Sequence, residues 1–413
     1  MTKIGIIGLG FVGLTTATGL AHLGHKVYCF ERDKQKSDNI KHLDIPFHEP
    51  YLDKNLKKYL NKNLFILNNV NNVICEVDII FVCVGTPSKS NGKADLRFIK
   101  NFFNSIIKNK PRSKKIVCIK STVPPGSCQT LDNYIKTKIP RKNISIAFVP
   151  EFLREGFAWK DFIYPDRIVI GSSDETTFQT LSSIFSKFKS QIIKTNLVEA
   201  EFIKYLSNNL LSTLISFSNE MSMIARNIGD INLKNVFETL HLDKRWTGQP
   251  AKMSSYVFPG AGYGGYCLPK DLKAMINIAK DYKYKSKLLV SVDQINTDIK
   301  NYNLTRIKKS IKNENEKIGI IGVSFKKGSD DIRESPSFFY INELIKTYKN
   351  ISIFDELAID NFKEKHNHIK VNAYKKISQL IKNSKTIIIL LDQVALKKAK
   401  FNNKNIIDLR YIL

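Results

Sequence analysis

The sequence predicts an α/β protein of two doubly wound domains joined by a central helical region with one long helix. Three observations predict it. Short apolar runs alternate with helical patterns at both ends of the chain, beginning at Lys3–Ile7 (KIGII) and again at Lys317 (KIGIIGVS), as in parallel sheets covered on both faces. Between them, the stretch from Val198 to Gly229 carries no proline and no internal glycine, so it reads as one helix. At 413 residues the chain is too long for a single hydrophobic core. The expected domains are 1–196, 197–303 and 304–413.

The first run ends at Gly8-Leu9-Gly10-Phe11-Val12-Gly13. A helix is expected from Thr15 to Leu23, then a strand from His25 to Phe30, followed by Glu31. Strand, GxGxxG, helix, strand and acid in this order form the dinucleotide-binding fingerprint, so the domain is Rossmann-like. Gly8 allows the tight turn, Gly10 the approach of a pyrophosphate, and Gly13 close packing of helix on strand. Glu31 suits ribose hydroxyls and repels a 2′-phosphate, which favours NAD over NADP.

Further strands are expected at 77–84, 115–120, 144–149 and 167–171. The first three lead into Gly85-Thr86-Pro87, Ser121-Thr122-Val123-Pro124-Pro125-Gly126 and Pro150-Glu151-Phe152-Leu153-Arg154-Glu155-Gly156. Ligands of such sheets sit beyond the carboxyl ends of the strands. Any one of these loops is explained by ordinary loop chemistry, but three at one edge point to a site. On the long helix, Lys204 and Asn208 lie four apart and share a face with Leu211 and Ile215. A polar pair on that face is costly unless partnered; a lysine snorkelling to water is the alternative.

In Gly262-Tyr263-Gly264-Gly265-Tyr266-Cys267-Leu268-Pro269-Lys270-Asp271 a cysteine stands between a glycine-rich run and a proline suited to a helix's first turn. Cys267 is placed just before a helix N-terminus, a setting for a reactive thiolate, and Asp271 lies within reach on the first turn. A buried thiol in a tight turn is the plainer alternative. Helical patterns continue from Leu272 to about Tyr302, Glu314–Glu316 reads as a charged linker, and a second Rossmann-like unit follows. Its strands are expected at 317–324, 350–355, 385–391 and 405–409. It lacks a second GxGxxG, so it suits part of a nucleotide without the full dinucleotide grip.

Composition excludes several classes. No window has the ~18 uninterrupted apolar residues of a membrane helix. Six cysteines show no CxxC or zinc spacing, and Cys29, Cys75, Cys83 and Cys118 read as small core hydrophobes. A reducing, cytoplasmic setting without metal or disulfide framework is expected. The formal charge of +27 comes from lysines spread along the whole chain, so solvated faces are favoured over nucleic-acid binding. The field would help to collect an anionic substrate.

GLGFVG, STVPPGS, PEFLREG, AEFIKYLSNN, LDKR, GAGYGGYCLPKD and FKKGSDDIRESPS together resemble, in order, the motifs of the UDP-glucose/GDP-mannose dehydrogenase family of nucleotide-sugar 6-dehydrogenases. The resemblance implies an NAD-binding domain, a central dimerisation region and a nucleotide-sugar domain. It implies a four-electron oxidation of a C6 alcohol to a carboxylate with two NAD. By motif match Cys267 is the nucleophile that traps the aldehyde. Lys204 stabilises oxyanions with Asn208 as its partner, Asp271 activates water, and Thr122 and Glu151 hold water and assist proton transfer. The implied NAD contacts are Gly8, Gly10, Phe11, Val12, Gly13, Glu31, Lys36, Thr86, Thr122, Glu155, Lys270 and Arg333. The implied sugar-nucleotide contacts are Glu151, Phe152, Leu153, Lys204, Asn208, Arg245, Tyr256, Gly264 and Lys326, with Arg245 reaching across a homodimer.

The segment from Arg245 to Cys267 is longer than the family pattern, which leaves the sugar open. The Tyr-Cys-Leu-Pro-Lys-Asp flank leans toward UDP-glucose; GDP-mannose and UDP-N-acetylhexosamines are the alternatives. A two-electron hydroxyacid-type dehydrogenase would share the Rossmann unit and the Lys/Asn pair but would not need Cys267. A basic NAD-binding regulatory or nucleic-acid-binding protein is the remote alternative, against which Lys204, Asn208, Cys267 and Asp271 argue together.

Overall fold

Isoleucines on both sides of the pleat make β1 (Lys3–Ile7) a central strand. Ile4 and Ile6 face one apolar layer and Ile7 the other, as expected of a parallel strand buried on both faces. The computed structural model describes residues 2–111, 113–139, 143–228, 230–243, 258–281, 283 and 286–413. The chain divides into two units, Met1–Ser207 and Asn208–Leu413.

In the first unit β1 is joined by β2 (Lys26–Phe30), β3 (Leu64–Ile66), β4 (Ile79–Val82), β5 (Lys115–Ile119), β6 (Ile144–Phe148), β7 (Arg167–Ser172) and β8 (Gln191–Thr195). The sheet order is β3-β2-β1-β4-β5-β6-β7-β8. Phe81 packs on the Ile4/Ile6 face and its neighbours Ile80 and Val82 on the other, the period of two that strands impose. The parallel sheet expected from the sequence is found, with one pair departing from it: β7 runs antiparallel to β6. The β6–β7 connection holds only the short helix Ala158–Ile163 and returns the chain without the crossover that a parallel neighbour needs. Cys75 is a correction. It is exposed on the helix Val70–Glu76, whose Val73 and Ile74 are buried, so it falls on the solvent side of a helix rather than in a core strand. Cys29, Cys83 and Cys118 are buried as expected.

The long helix runs Leu197–Ile228, close to its expected bounds. The second unit continues with helices Leu233–His241, Cys267–Asp281 and Lys287–Ser310. Its sheet comprises β9 (Lys317–Ile321), β10 (Asn350–Phe354), β11 (Asn372–Tyr374), β12 (Thr386–Ile389) and β13 (Asn405–Asp408), all parallel in the order β11-β10-β9-β12-β13.

The two sheets repeat one device. Both central strands read KIGII and end in a glycine of positive φ, Gly8 (+90°) and Gly322 (+97°). In each, the next N–H donates to an acid at the end of the neighbouring strand: Leu9 N to Glu31 at 2.9 Å, Val323 N to Asp355 at 2.9 Å. The copies then diverge. Ser324 stands where Gly10 would be, and Asp355 accepts from Ser324 N, Ser324 Oγ, Gln393 Nε2, Leu357 N and Ala358 N as well. Its oxygens are taken up by protein donors, which agrees with a unit lacking the full dinucleotide grip.

Candidate active site

The GxGxxG turn is held by steric need. A Cβ on Gly13 would lie 1.8 Å from the carbonyl oxygen of Gly8, so only glycine lets the helix Phe11–His22 start this close to β1. Gly10, its N-cap residue, offers no side-chain cap, and the space beyond its α-carbon is open up to the Lys36 ammonium at 3.9 Å. Uncapped N–H groups over open space suit a pyrophosphate. Glu31 accepts from Leu9 N and Asp33 N and pairs with Lys36 Nζ at 3.2 Å. Burial alone would raise its pKa, but the Leu9 N–H and Lys36 outweigh it and hold the carboxyl below its ordinary value. The turn and the ionised acid fit NAD.

The loops beyond β4 and β5 are tied together: Thr86 Oγ1 donates to the Thr122 carbonyl at 2.9 Å and Ser121 Oγ to the Val84 carbonyl at 2.6 Å. Beyond β6, Glu151 is buried and meets Lys204 Nζ at 2.9 Å, while its second oxygen accepts from Leu153 N at 2.7 Å. The Lys204 ammonium also lies 5.5 Å from the centre of the Phe152 ring. The lysine on the buried helical face is therefore partnered, not snorkelling.

Two buried residues of this region were not singled out in the sequence. Lys120, two before Thr122, is buried beside Glu151 and Lys204, and burial lowers its pKa. Glu201, fully buried on the long helix, accepts from Gly126 N and Cys128 N at 2.5 and 2.7 Å and so ties the helix that carries Lys204 to the Thr122 loop. A lysine closing the apolar run KIVCIK was the available signal for Lys120.

Burial of Glu151 opposes its ionisation, but the Lys204 ammonium and the Leu153 N–H outweigh it and keep its pKa below the ordinary 4.5. The ionised carboxylate then stabilises the fold at every pH above 4.5, and that contribution is lost as pH falls through the lower folded value. Thermal unfolding between pH 7 and 3 checks this. Glu151→Gln should lower Tm at neutral pH and flatten the loss of Tm below pH 4.5 relative to wild type.

In the second unit Cys267 is the first residue of the helix Cys267–Asp281, one position further in than expected, and it is exposed. Asp271 lies one turn on and is buried, accepting from Asn208 Nδ2 and Lys270 Nζ, both at 2.5 Å. Burial would lower the Lys270 pKa, but Asp271 and Cys267 raise it above its ordinary value. An ammonium one turn from a thiol at a helix N-terminus favours the thiolate. Tyr266 lies between two cations, with the Arg333 guanidinium 4.8 Å and the Lys270 ammonium 5.6 Å from its ring centre. Gly264 packs against the Glu334 carbonyl, and Lys326 follows Phe325, whose ring covers Gly265. Arg245 and Tyr256 lie outside the described residues.

A dinucleotide turn with an ionised ribose-side acid, and an exposed thiol near a buried carboxylate and ammonium, are the equipment of an NAD-dependent oxidoreductase. Comparison with known proteins makes the class particular. The UDP-glucose/GDP-mannose dehydrogenase family models match as the NAD binding domain at residues 2–189, the central domain at 198–298 and the UDP binding domain at 319–413. The chain belongs to the UDP-glucose/GDP-mannose dehydrogenase family. It is 35% identical over 427 residues to a UDP-glucose 6-dehydrogenase of Rickettsia typhi, covering 100% of this chain and 95% of that protein. It is 35% identical over 405 residues to one of Bacillus subtilis, covering 96% and 89%. The structure of a UDP-glucose dehydrogenase from Pyrobaculum islandicum superposes with a TM-score of 0.93 at 28% identity, covering 100% of this chain and 95% of that one.

Proposed function

We propose that the protein oxidises the C6 hydroxyl of UDP-glucose to a carboxylate, in two oxidations joined by a covalent intermediate on Cys267. The observation that carries this reading is the exposed Cys267 thiol at the start of a helix, with Asp271 buried one turn on and held by Asn208 and Lys270. The full-length similarity to UDP-glucose 6-dehydrogenases supports the substrate.

NAD, bound at the Gly8–Gly13 turn and Glu31, supplies the hydride acceptor for both oxidations. Glu151 and Lys204 serve the first: the carboxylate receives the hydroxyl proton directly or through water held at Thr122, and the ammonium steadies the developing alkoxide. The Cys267 thiolate then adds to the aldehyde carbon, forming a C–S bond and an oxyanion that Lys204 and Asn208 stabilise. Loss of the second hydride leaves a thioester. Asp271 orients and deprotonates a water; addition of its oxygen breaks the C–S bond, returns the thiolate and gives the carboxylate. Phe152, Leu153, Gly264, Lys326, Arg245 and Tyr256 are proposed to hold the sugar nucleotide. Thr86, Glu155, Lys270 and Arg333 are proposed to join the turn residues on NAD.

We further assign the three parts 1–196, 197–303 and 304–413 to NAD binding, dimerisation and UDP-sugar binding. On the long helix, Phe202, Leu206, Leu210 and Phe217 are 44–55% exposed, an apolar stripe of the kind that seats a second copy. A chain sedimenting as a monomer at micromolar concentration would remove this part of the reading. The substrate is tested by NADH production on a panel of UDP-glucose, GDP-mannose and UDP-N-acetylhexosamines. UDP-glucose should give the highest kcat/KM, and turnover confined to another member would reassign the sugar.

Among the described residues no helix is long and apolar enough to cross a membrane.

A further inference from the structure

The run 260–264, just before the thiol, belongs to no helix or strand, yet side chains from three helices satisfy its backbone. Asn219 Oδ1, on the long helix, accepts from Gly260 N at 2.8 Å. Asn303, on the helix Lys287–Ser310, donates to the Gly260 carbonyl at 3.2 Å. Tyr340, on the helix Pro336–Leu344, donates to the Ala261 carbonyl at 3.1 Å. Asn296, also on Lys287–Ser310, makes two bonds to one residue: its Oδ1 accepts from Tyr263 N at 2.8 Å and its Nδ2 donates to the Tyr263 carbonyl at 3.1 Å. That is the pairing a neighbouring strand would offer, supplied by an amide side chain. All four side chains are buried.

Buried polar groups inside an apolar core are costly unless matched, and each match fixes a geometry. Replacing these amides with apolar residues would cost the core nothing in volume but would leave Gly260 and Tyr263 backbone groups unpaired. The fit is also steric. Gly262 has φ +101°, and a Cβ there would meet Asn296 Oδ1 at 2.9 Å; a Cβ on Gly264 would meet the Glu334 carbonyl oxygen at 2.1 Å. The chain is thus pinned from Gly260 to Gly264, three residues before Cys267.

We infer that Asn296, seconded by Asn303 and Asn219, is a positioning residue that sets where the Cys267 thiol stands, and through it how efficiently the aldehyde is captured. The inference rests on the two-oxidation reading above. The first oxidation does not use the thiol. A displaced thiol should therefore let the aldehyde escape between the two steps, without loss of NAD binding. Displacements of about 1 Å are enough to cost on the order of 100-fold at a reacting centre.

The test is a partition ratio. Wild-type enzyme and Asn296→Leu, Asn296→Asp and Asn303→Ser turn over the best nucleotide sugar of the panel, with semicarbazide present to trap free aldehyde. Trapped adduct and carboxylate are counted by mass spectrometry. The ratio does not depend on how much protein is folded, so a merely structural role would leave it unmoved; Asn296→Asp and Asn303→Ser provide milder lesions should Asn296→Leu fail to fold. The expected result is a rise of about tenfold or more in aldehyde per carboxylate for the Asn296 variants, smaller for Asn303→Ser, with KM for NAD within about twofold of wild type. A wild-type ratio in every soluble variant overturns the inference. If the wild type makes no carboxylate from any nucleotide sugar, the functional reading itself falls, and the inference with it.

Discussion

Cys267→Ser should abolish carboxylate formation, lowering steady-state turnover by at least about 10³-fold, the scale on which removal of a covalent nucleophile acts. A serine hydroxyl at a helix start is far less ionised than a thiol, and its ester would be a poorer intermediate than a thioester. The first oxidation should survive, so mixing the variant with excess UDP-glucose and NAD should give a slow release of aldehyde that semicarbazide traps. A stopped-flow record at 340 nm together with product analysis checks both halves. Because Cys267 is exposed, the substitution should leave Tm nearly unchanged, which separates lost chemistry from lost fold. Full turnover by Cys267→Ser would return the protein to the two-electron class considered from its sequence.

Lys204→Met carries the second large effect, on activity and stability together. Lys204 and Glu151 are both buried and pair at 2.9 Å. Removing one member of a buried ion pair leaves the other charge uncompensated, which costs about 3–5 kcal/mol. Loss of an oxyanion-stabilising donor costs a further factor of about 10²–10³ in kcat. The double variant Lys204→Met/Glu151→Gln should recover much of the stability, since neither member is left as an uncompensated charge opposite the other, and none of the activity. Chemical denaturation and initial-rate kinetics on the three proteins check this. A single variant that keeps both its stability and its kcat would show that the pair is neither buried in solution nor used in the reaction.

Much of this was legible in the chain because the signals are local. The first strand, the GxGxxG turn and Glu31 lie between Lys3 and Glu31, and their order alone defines a βαβ unit. Lys204 and Asn208 share a face because a helix repeats every 3.6 residues. The antiparallel β6–β7 pair was not legible: the pattern of apolar residues marks a strand but not its direction. Cys75 was misread because a run as short as VICEV, residues 73–77, fits a buried strand and a short helix equally. Glu201, Asn296 and Asn303 were missed for another reason. Each looks like an ordinary polar residue on a helix, and its meaning lies in partners such as Gly126, 75 residues away, or Tyr263, 33 residues away. Asn208 illustrates the same limit. Helical spacing placed it beside Lys204, but only the fold supplies its bond to Asp271.

The central claim of the proposed function is that two oxidations are joined by a thioester on Cys267. The most direct test is stoichiometry: limiting UDP-glucose, excess NAD and enzyme run to completion, with NADH and uronate both quantified. The account predicts two NADH for each UDP-glucuronate formed and no free aldehyde. One NADH per sugar consumed, with the aldehyde as end product, would contradict it.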